Sequence, residues 1–205
     1  MKKPAKLCSP LIWPHKSSSA RHLPHFFVMS DIERLPDPSP ILHKLPRGSA
    51  VILRHPDHAA LAQLANTTIA QAHRLGLKVL IANDIRLAIS SGADGVHLSE
   101  QTYRLGPWKR HLHGHRPGFI ITTACHSIMA LKHASRSRSD AVFLSPVFPT
   151  QSHPQAQTLG PTRFQVWAQK SPKPVMALGG IEAGTAKRLH LGSAVGFGAI
   201  QAWHD

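Results

Sequence analysis

Cysteine is nearly absent: Cys8 and Cys125 are the two among 205 residues, and they form no metal or redox motif. That usage reads as a reduced, intracellular protein, expected to be cytoplasmic. Long apolar runs are lacking too. None approaches the roughly 20 residues needed to span a bilayer, so no membrane association is expected. The basic start Met1-Lys2-Lys3 is interrupted by Pro4, Lys6 and Cys8-Ser9-Pro10 before a signal-peptide core can form, and no targeting segment is read. Acidic residues are scarce. Ten Asp and Glu stand against 24 Lys and Arg, with 16 histidines besides, for a formal charge of +14. Such a balance suits nucleic acid, phosphorylated metabolites or plain colloidal solubility. The basic residues are spread along the chain, however, with only Lys109-Arg110 and Arg136-Ser137-Arg138 as small clusters. No aromatics interleave with them as in single-strand binders, so nucleic acid is not an expected partner.

What is present is a soluble globular composition, 42% hydrophobic and 17% charged, on a length that allows one sizeable core. Residues 1–25, rich in Pro, Ser, Lys and His, read as a basic, poorly ordered arm ahead of a single domain over 26–205. From there the pattern becomes rhythmic. Apolar runs at 26–29, 50–54, 78–82, 95–98, 118–123, 141–144, 175–178 and 194–199 predict eight strands. Between His58 and Leu75 apolar residues fall at helical spacing, and Gly76 sits where a glycine ends a helix. Further helices are expected after Asn83-Asp84 through Ile89, and near 102–112, 127–134, 161–169 and 182–190.

Alternating strands and helices argue for a parallel sheet, and eight such units for a closed (β/α)8 TIM barrel over an open doubly wound sheet. The barrel is a compact one. Its first crossover, 32–49, is Pro-rich and a poor helix, and Asp205 follows the eighth strand closely. Reduced first and last helices are expected.

In such a barrel functional residues sit where strands end. Those positions hold Asp31, Arg54, Asn83 and Asp84, His97 with Glu100, His126, the 145–153 loop, Gly179-Gly180, and residues 198 to 201. The stretch from Ala141 to Gly160 runs from an apolar strand through Ser145-Pro146 to Thr150-Gln151-Ser152-His153. Hydroxyls beside an imidazole suit an anion such as phosphate, although ordinary turn chemistry also uses these residues. Gly179-Gly180-Ile181, after a strand and before a helix, fits a phosphate cradle of bare backbone amides, or a tight turn needing positive φ. Asn83-Asp84 can ligate magnesium, hold a hydroxyl or cap the next helix. His126 has an unperturbed pKa suited to proton transfer, but one histidine among 16 carries little weight alone.

Four motifs carry a resemblance. Ala82-Asn83-Asp84, Ser91 to Leu98, Pro146-Val147-Phe148-Pro149-Thr150 and Ala177-Leu178-Gly179-Gly180-Ile181 resemble thiamine phosphate synthase and its relatives, the thiazole tautomerases. Their order and spacing agree from about Phe26 to Trp203. The resemblance implies coupling of hydroxymethylpyrimidine diphosphate with thiazole phosphate, with magnesium and cations stabilising the departing diphosphate. It implies that Arg54 and Asn83 face the diphosphate and that Asp84 is a magnesium ligand. It also implies that Thr150, Ser152, Gly179, Gly180, Ile200 and Gln201 hold the thiazole phosphate. His126 matches the tautomerases' acid/base histidine.

The departures fall on one side. Where the synthases have Gln-Leu-Arg-Glu-Lys, this chain has Ile52-Leu53-Arg54-His55-Pro56. The second magnesium aspartate is replaced by Thr102, with Glu100 one or two positions from it, and the lysine after the Thr150 motif is His153. A serine before the histidine motif is Ala124. Each charge-assisted contact is worth roughly 1.5–3 kcal/mol, so losing one carboxylate and two lysines removes several powers of ten in rate unless something replaces them. Three readings follow: a divergent synthase in which His153 and Glu100 stand in, a metal-independent tautomerase working through His126, and a non-catalytic binder of thiazole phosphate or thiamine phosphate. The expected partners are small phosphorylated thiazoles and pyrimidines, with a homo-oligomer left open.

Overall fold

A computed structural model of the chain describes residues 23–106, 108, 117–136, 138–152, 154–189 and 194–200. Eight parallel strands close on themselves in sequence order: β1 (Phe26–Met29), β2 (Ala50–Leu53), β3 (Lys78–Ala82), β4 (Gly95–Leu98), β5 (Ile120–Cys125), β6 (Ala141–Leu144), β7 (Val175–Ala177) and β8 (Gly196–Ala199). The barrel shuts through β1 and β8, where Phe27 pairs with Gly198 and Val28 with Ala199. The expected (β/α)8 barrel is therefore the fold.

Side-chain alternation follows from the strand period of two. Phe27 and Met29, Ala50 and Ile52, Leu80 and Ala82, Ala141 and Phe143, and Met176 point inward and form a small interior cluster. Val28, Val51, Leu53, Val79, Ile81, Val142 and Leu144 point outward into a larger core shared with the helices. Helix α1 (His58–Arg74) covers β2 and β3 with Leu61, Ala65, Ile69 and Ala72, capped at its start by the Asp57 carboxylate on Ala60 N. The remaining helices are α2 (Ile85–Ser90), α3 (Glu100–Leu105), α4 (Ile128–Ser135), α5 (Gly160–Gln169) and α6 (Ala183–Ala186). None of the described helices is long and apolar enough to cross a membrane.

The first crossover carries a 3-10 turn at Ser39–Lys44, with buried Ile41 and Leu42, where a full helix would stand in other units. Prolines at 36, 38 and 40 explain why: each removes an amide donor that an α-helix needs. Helix α3 starts two residues earlier than expected, and residues 107 and 109–112 of its expected span lie outside the described residues; α6 is shorter than its sequence pattern implied, and β5 begins two residues late and runs to Cys125. Leu23 is buried in the interior cluster, and the His25 carbonyl accepts from Phe197 N at 2.9 Å, so the three residues ahead of β1 pack against the barrel. Residues 1–22 of the expected arm and residues 201–205 after β8 lie outside the described residues.

Phe143 is the interior residue with most to lose. Its ring is fully buried and meets Phe27 edge-on at 4.9 Å and His97 at 5.1 Å. Phe143→Ala is expected to lower the unfolding free energy by roughly 3–5 kcal/mol in urea denaturation; a loss under about 1 kcal/mol would mean the interior collapses to fill the space.

Candidate functional site

At the carboxyl ends of the strands a cavity of about 700 Å³ opens, a size typical of small-ligand sites. Its floor is the continuation of the inward-facing series. Met29, Ile52, Ala82, His97, Ala124, Leu178 and Gly198 line it, and one residue beyond the strands Arg54, His126, Ser145 and Ile200 do the same. Predicted site residues Arg54, Asn83, His126, Thr150, Ser152, Gly179, Gly180 and Ile200 thus share one cavity. His153 and Gln201 lie outside the described residues.

On the early-strand side the organising group is Asp31, just past β1. The chain closes on itself there, because Asp31 and Leu35 exchange both backbone hydrogen bonds at 2.9 Å. The Asp31 Oδ1 accepts from the backbone of Glu33 and Arg34 and from Arg34 Nε at 3.2 Å. Its Oδ2 accepts from Arg34 Nη2 at 2.9 Å and from Arg54 Nη2 at 3.1 Å. Two guanidinium groups therefore share one carboxylate oxygen. The Arg54 backbone is fixed by Ser30, whose hydroxyl accepts from Arg54 N at 2.7 Å and donates to its carbonyl. Asn83 adopts φ 60°, a left-handed conformation that asparagine tolerates. Its Oδ1 accepts from Ser99 N at 2.7 Å, which ties the β3 and β4 loops together.

On the late-strand side the loops after β6 and β7 are built around one another. The carbonyl of Gly179 accepts from Phe148 N, and the Thr185 hydroxyl donates to the Gly180 carbonyl at 2.7 Å. Both glycines have positive φ, 91° and 63°. A β-carbon on Gly179 would stand 2.8 Å from Pro146, and one on Gly180 would run into the Pro149 carbonyl. No other residue fits this approach. Thr150 and Ser152 line the same cavity as the glycines.

His126 stands between the two sides. Its Nδ1 lies 3.1 Å from the Ser145 carbonyl and 3.2 Å from the Ser145 hydroxyl. A carbonyl can only accept, so Nδ1 carries the proton, and in the neutral ring Nε2 is the basic nitrogen. His97, deeper in the floor, bonds the Thr122 hydroxyl at 2.9 Å. Burial, then the charges of Arg54 and His126, push its pKa down to about 3, so it is neutral. Burial likewise pushes the Cys125 thiol up to about 12, which leaves it unreactive.

The residues implied for magnesium do not assemble on the cavity. Asp84 caps α2, its Oδ1 accepting from Leu87 N at 2.8 Å while Oδ2 faces His58 at 3.5 Å. The Thr102 hydroxyl accepts from Ser99 Oγ within the cap of α3. Glu100 Oε2 accepts from His126 N at 2.9 Å, which ties it to the turn after β5. Among the described residues no group of three His, Cys, Asp or Glu is placed to hold a metal ion. A magnesium ion bound through protein carboxylates needs oxygen donors converging on an octahedron, and this set does not supply them.

Among the lining residues, Arg34 and Arg188 were not singled out from the sequence, and Ser145 was read only as part of the 145–153 loop. Arg34 reaches the cavity from the closed loop 31–35 and donates to Ser152 Oγ at 2.6 Å. Arg188 lies over the Phe148 ring, 5.3 Å from its centroid. Ser145 holds His126. An Asp-x-x-Arg spacing directly after a strand was the available signal for the first; the other two depend on long-range packing.

A closed eight-stranded barrel with its polar cavity at the carboxyl rim is the architecture of enzymes that bind small phosphorylated ligands between βα loops. Comparison with known proteins narrows this. The sequence model of a family described as thiamine monophosphate synthase matches residues 41–202, and the chain belongs to that family. A protein of Aquifex aeolicus is 34% identical over 140 residues, 68% of this chain and 73% of its own. The thiamine-phosphate synthase of Anoxybacillus flavithermus is 27% identical over 186 residues, 86% of this chain and 84% of its own. A thiamine phosphate pyrophosphorylase from Pyrococcus furiosus shares the fold with a TM-score of 0.70 at 19% identity, over 88% of this chain and 87% of that one.

The Asp31 cluster makes a pH prediction. The donating Arg34 side chain, opposed by burial, lowers the Asp31 carboxyl from 3.8 to about 2. The group stays charged in the folded protein where the unfolded chain takes up a proton. Its contribution to stability is full above about pH 4 and is lost as pH falls toward 2. The stability gap between wild type and Asp31→Asn, measured by urea denaturation, should be widest near neutrality and narrow through that window. A gap constant over the whole range would contradict the assignment.

Proposed function

We propose that this chain couples a pyrimidine diphosphate to a thiazole phosphate in the manner of a thiamine phosphate synthase. The observation supporting this reading is that one cavity carries cationic side chains beyond the early strands and a hydroxyl-and-amide grip beyond the late ones. Thr150, Ser152, Gly179, Gly180 and Ile200 are assigned to the thiazole phosphate. Because the Gly179 carbonyl is engaged by Phe148 N, the Gly180 N–H of the same trans peptide points the opposite way. Arg54 and the Asn83 amide are assigned to the diphosphate. Its departure breaks the bond from the pyrimidine methylene carbon to oxygen, the thiazole nitrogen bonds to that carbon, and the guanidinium groups stabilise the charge that gathers on the leaving group. No step is routed through a metal, since Asp84 is committed to its cap and Thr102 supplies no carboxylate.

Incubation of purified protein with hydroxymethylpyrimidine diphosphate and thiazole phosphate is expected to release diphosphate, and the gene to complement a strain lacking the synthase. Arg54→Ala should lower kcat/KM roughly 10- to 150-fold, the loss of one charge-assisted contact. No release with either substrate order would reject the reading.

A second reading, proton transfer on a thiazole phosphate, is favoured by two observations: the Ser145 carbonyl fixes the His126 tautomer with Nε2 basic, and the metal ligands are incomplete. Isomerisation of a thiazole carboxylate phosphate that is abolished in His126→Ala, without any diphosphate release, would establish it in place of the first.

A further inference from the structure

The closed loop after β1 holds a cation that nothing in the second-strand motif supplies. Arg34 is largely buried, its side chain 14% exposed against 50% for Arg54. It is fixed at four points: Nε and Nη2 on the two oxygens of Asp31, its backbone N on Asp31 Oδ1, and Nη2 on Ser152 Oγ. The loop beneath it cannot swing, because Asp31 and Leu35 pair through both backbone hydrogen bonds and Leu35 is buried. A fork held this way has lost its rotamer freedom before any ligand arrives, which lowers the cost of binding.

Charge points the same way. Two arginines around one carboxylate leave a surplus of one positive charge facing the cavity. Asp31 has both oxygens fully engaged, so it is a bracket for the guanidinium groups and has no lone pair directed at a cation. The Arg34–Ser152 bond joins the β1 loop to the β6 loop, so this cation stands where the early and late sides of the cavity meet. Of the two carboxylates that the resemblance implies for a magnesium ion, Asp84 caps α2 and the other is replaced by Thr102.

We propose that Arg34, bracketed by Asp31 beside Arg54, is a substrate-binding cation that takes the diphosphate end of the ligand without a metal ion. A diphosphate carries enough oxygens to span both guanidinium groups; on Arg34, Nη1 is the donor that Asp31 and Ser152 leave for it, and its contact with a phosphate oxygen is charge-assisted. The identity of the anion rests on the synthase reading; the metal-free arginine site does not.

Isothermal titration of inorganic diphosphate into the full chain, in buffer containing EDTA, tests this directly. Wild type should bind, and Arg34→Gln should weaken binding roughly 10- to 100-fold, with Arg34→Lys between the two because a point charge cannot make the fork. Removing Arg34 alone exposes Asp31 to the loss of its main partner, so the double variant Asp31→Asn/Arg34→Gln supplies the same cation loss without an orphaned carboxylate. It should show the same weakening. Wild-type binding that appears only after magnesium is added would overturn the proposal, as would unchanged affinity in either glutamine variant. Arg34-dependent binding in a protein that releases no diphosphate from the pyrimidine substrate would support this inference while rejecting the synthase reading.

Discussion

Closure of the barrel is the constraint on which the site depends. Eight parallel strands with no free edge must tilt together, and each then presents every second side chain inward. The interior has room for one small cluster, built on Phe27, Phe143 and Met176, and it is filled at the amino-terminal side by Leu23 and Val195. Toward the carboxyl ends four inward positions are small or polar, Ala82, His97, Ala124 and Gly198, beside Met29, Ile52 and Leu178. Packing stops there and the cavity begins. The next inward positions, Arg54, His126, Ser145 and Ile200, inherit their direction from strand parity alone.

Two kinds of grip divide that cavity. Beyond the late strands the donors are backbone amides and hydroxyls, and their directions are set by close approach of the glycines to Pro146 and Pro149. Beyond the early strands they are side-chain cations, kept from collapsing onto solvent by Asp31. A carboxylate bracketed by two arginines is less costly than it looks, since each oxygen is saturated and both cations gain a fixed orientation. Where the resemblance implies two lysines and a second aspartate, the chain has Pro56, His153 and Thr102.

Much of this was legible in the residues. Apolar runs bounded by Gly, Pro and Asp located eight strands because a strand buried on both faces has to be continuously apolar. The glycine pair after β7 and the hydroxyls after β6 were readable because few residue types can do what those loops require. Arg34 was not, because nothing local says that Asp31 and Leu35 pair and throw the side chain between them toward Ser152. Asp84 was ambiguous for a physical reason: a carboxylate before a helix suits a cap and a cation equally, and the structure shows the cap, Oδ1 accepting from Leu87 N. Helix α6 was overextended because buried Leu189 continues the apolar spacing three residues past its end.

The central claim is spatial: one phosphoryl group sits among Thr150, Ser152 and the amide of Gly180. A crystal structure of the chain soaked with thiazole phosphate measures this most directly. The account predicts phosphoryl density within hydrogen-bonding distance of the Gly180 N–H and the two hydroxyls, with the ring directed toward His126. Density for the ligand elsewhere on the barrel, with that cradle holding only solvent, would contradict it.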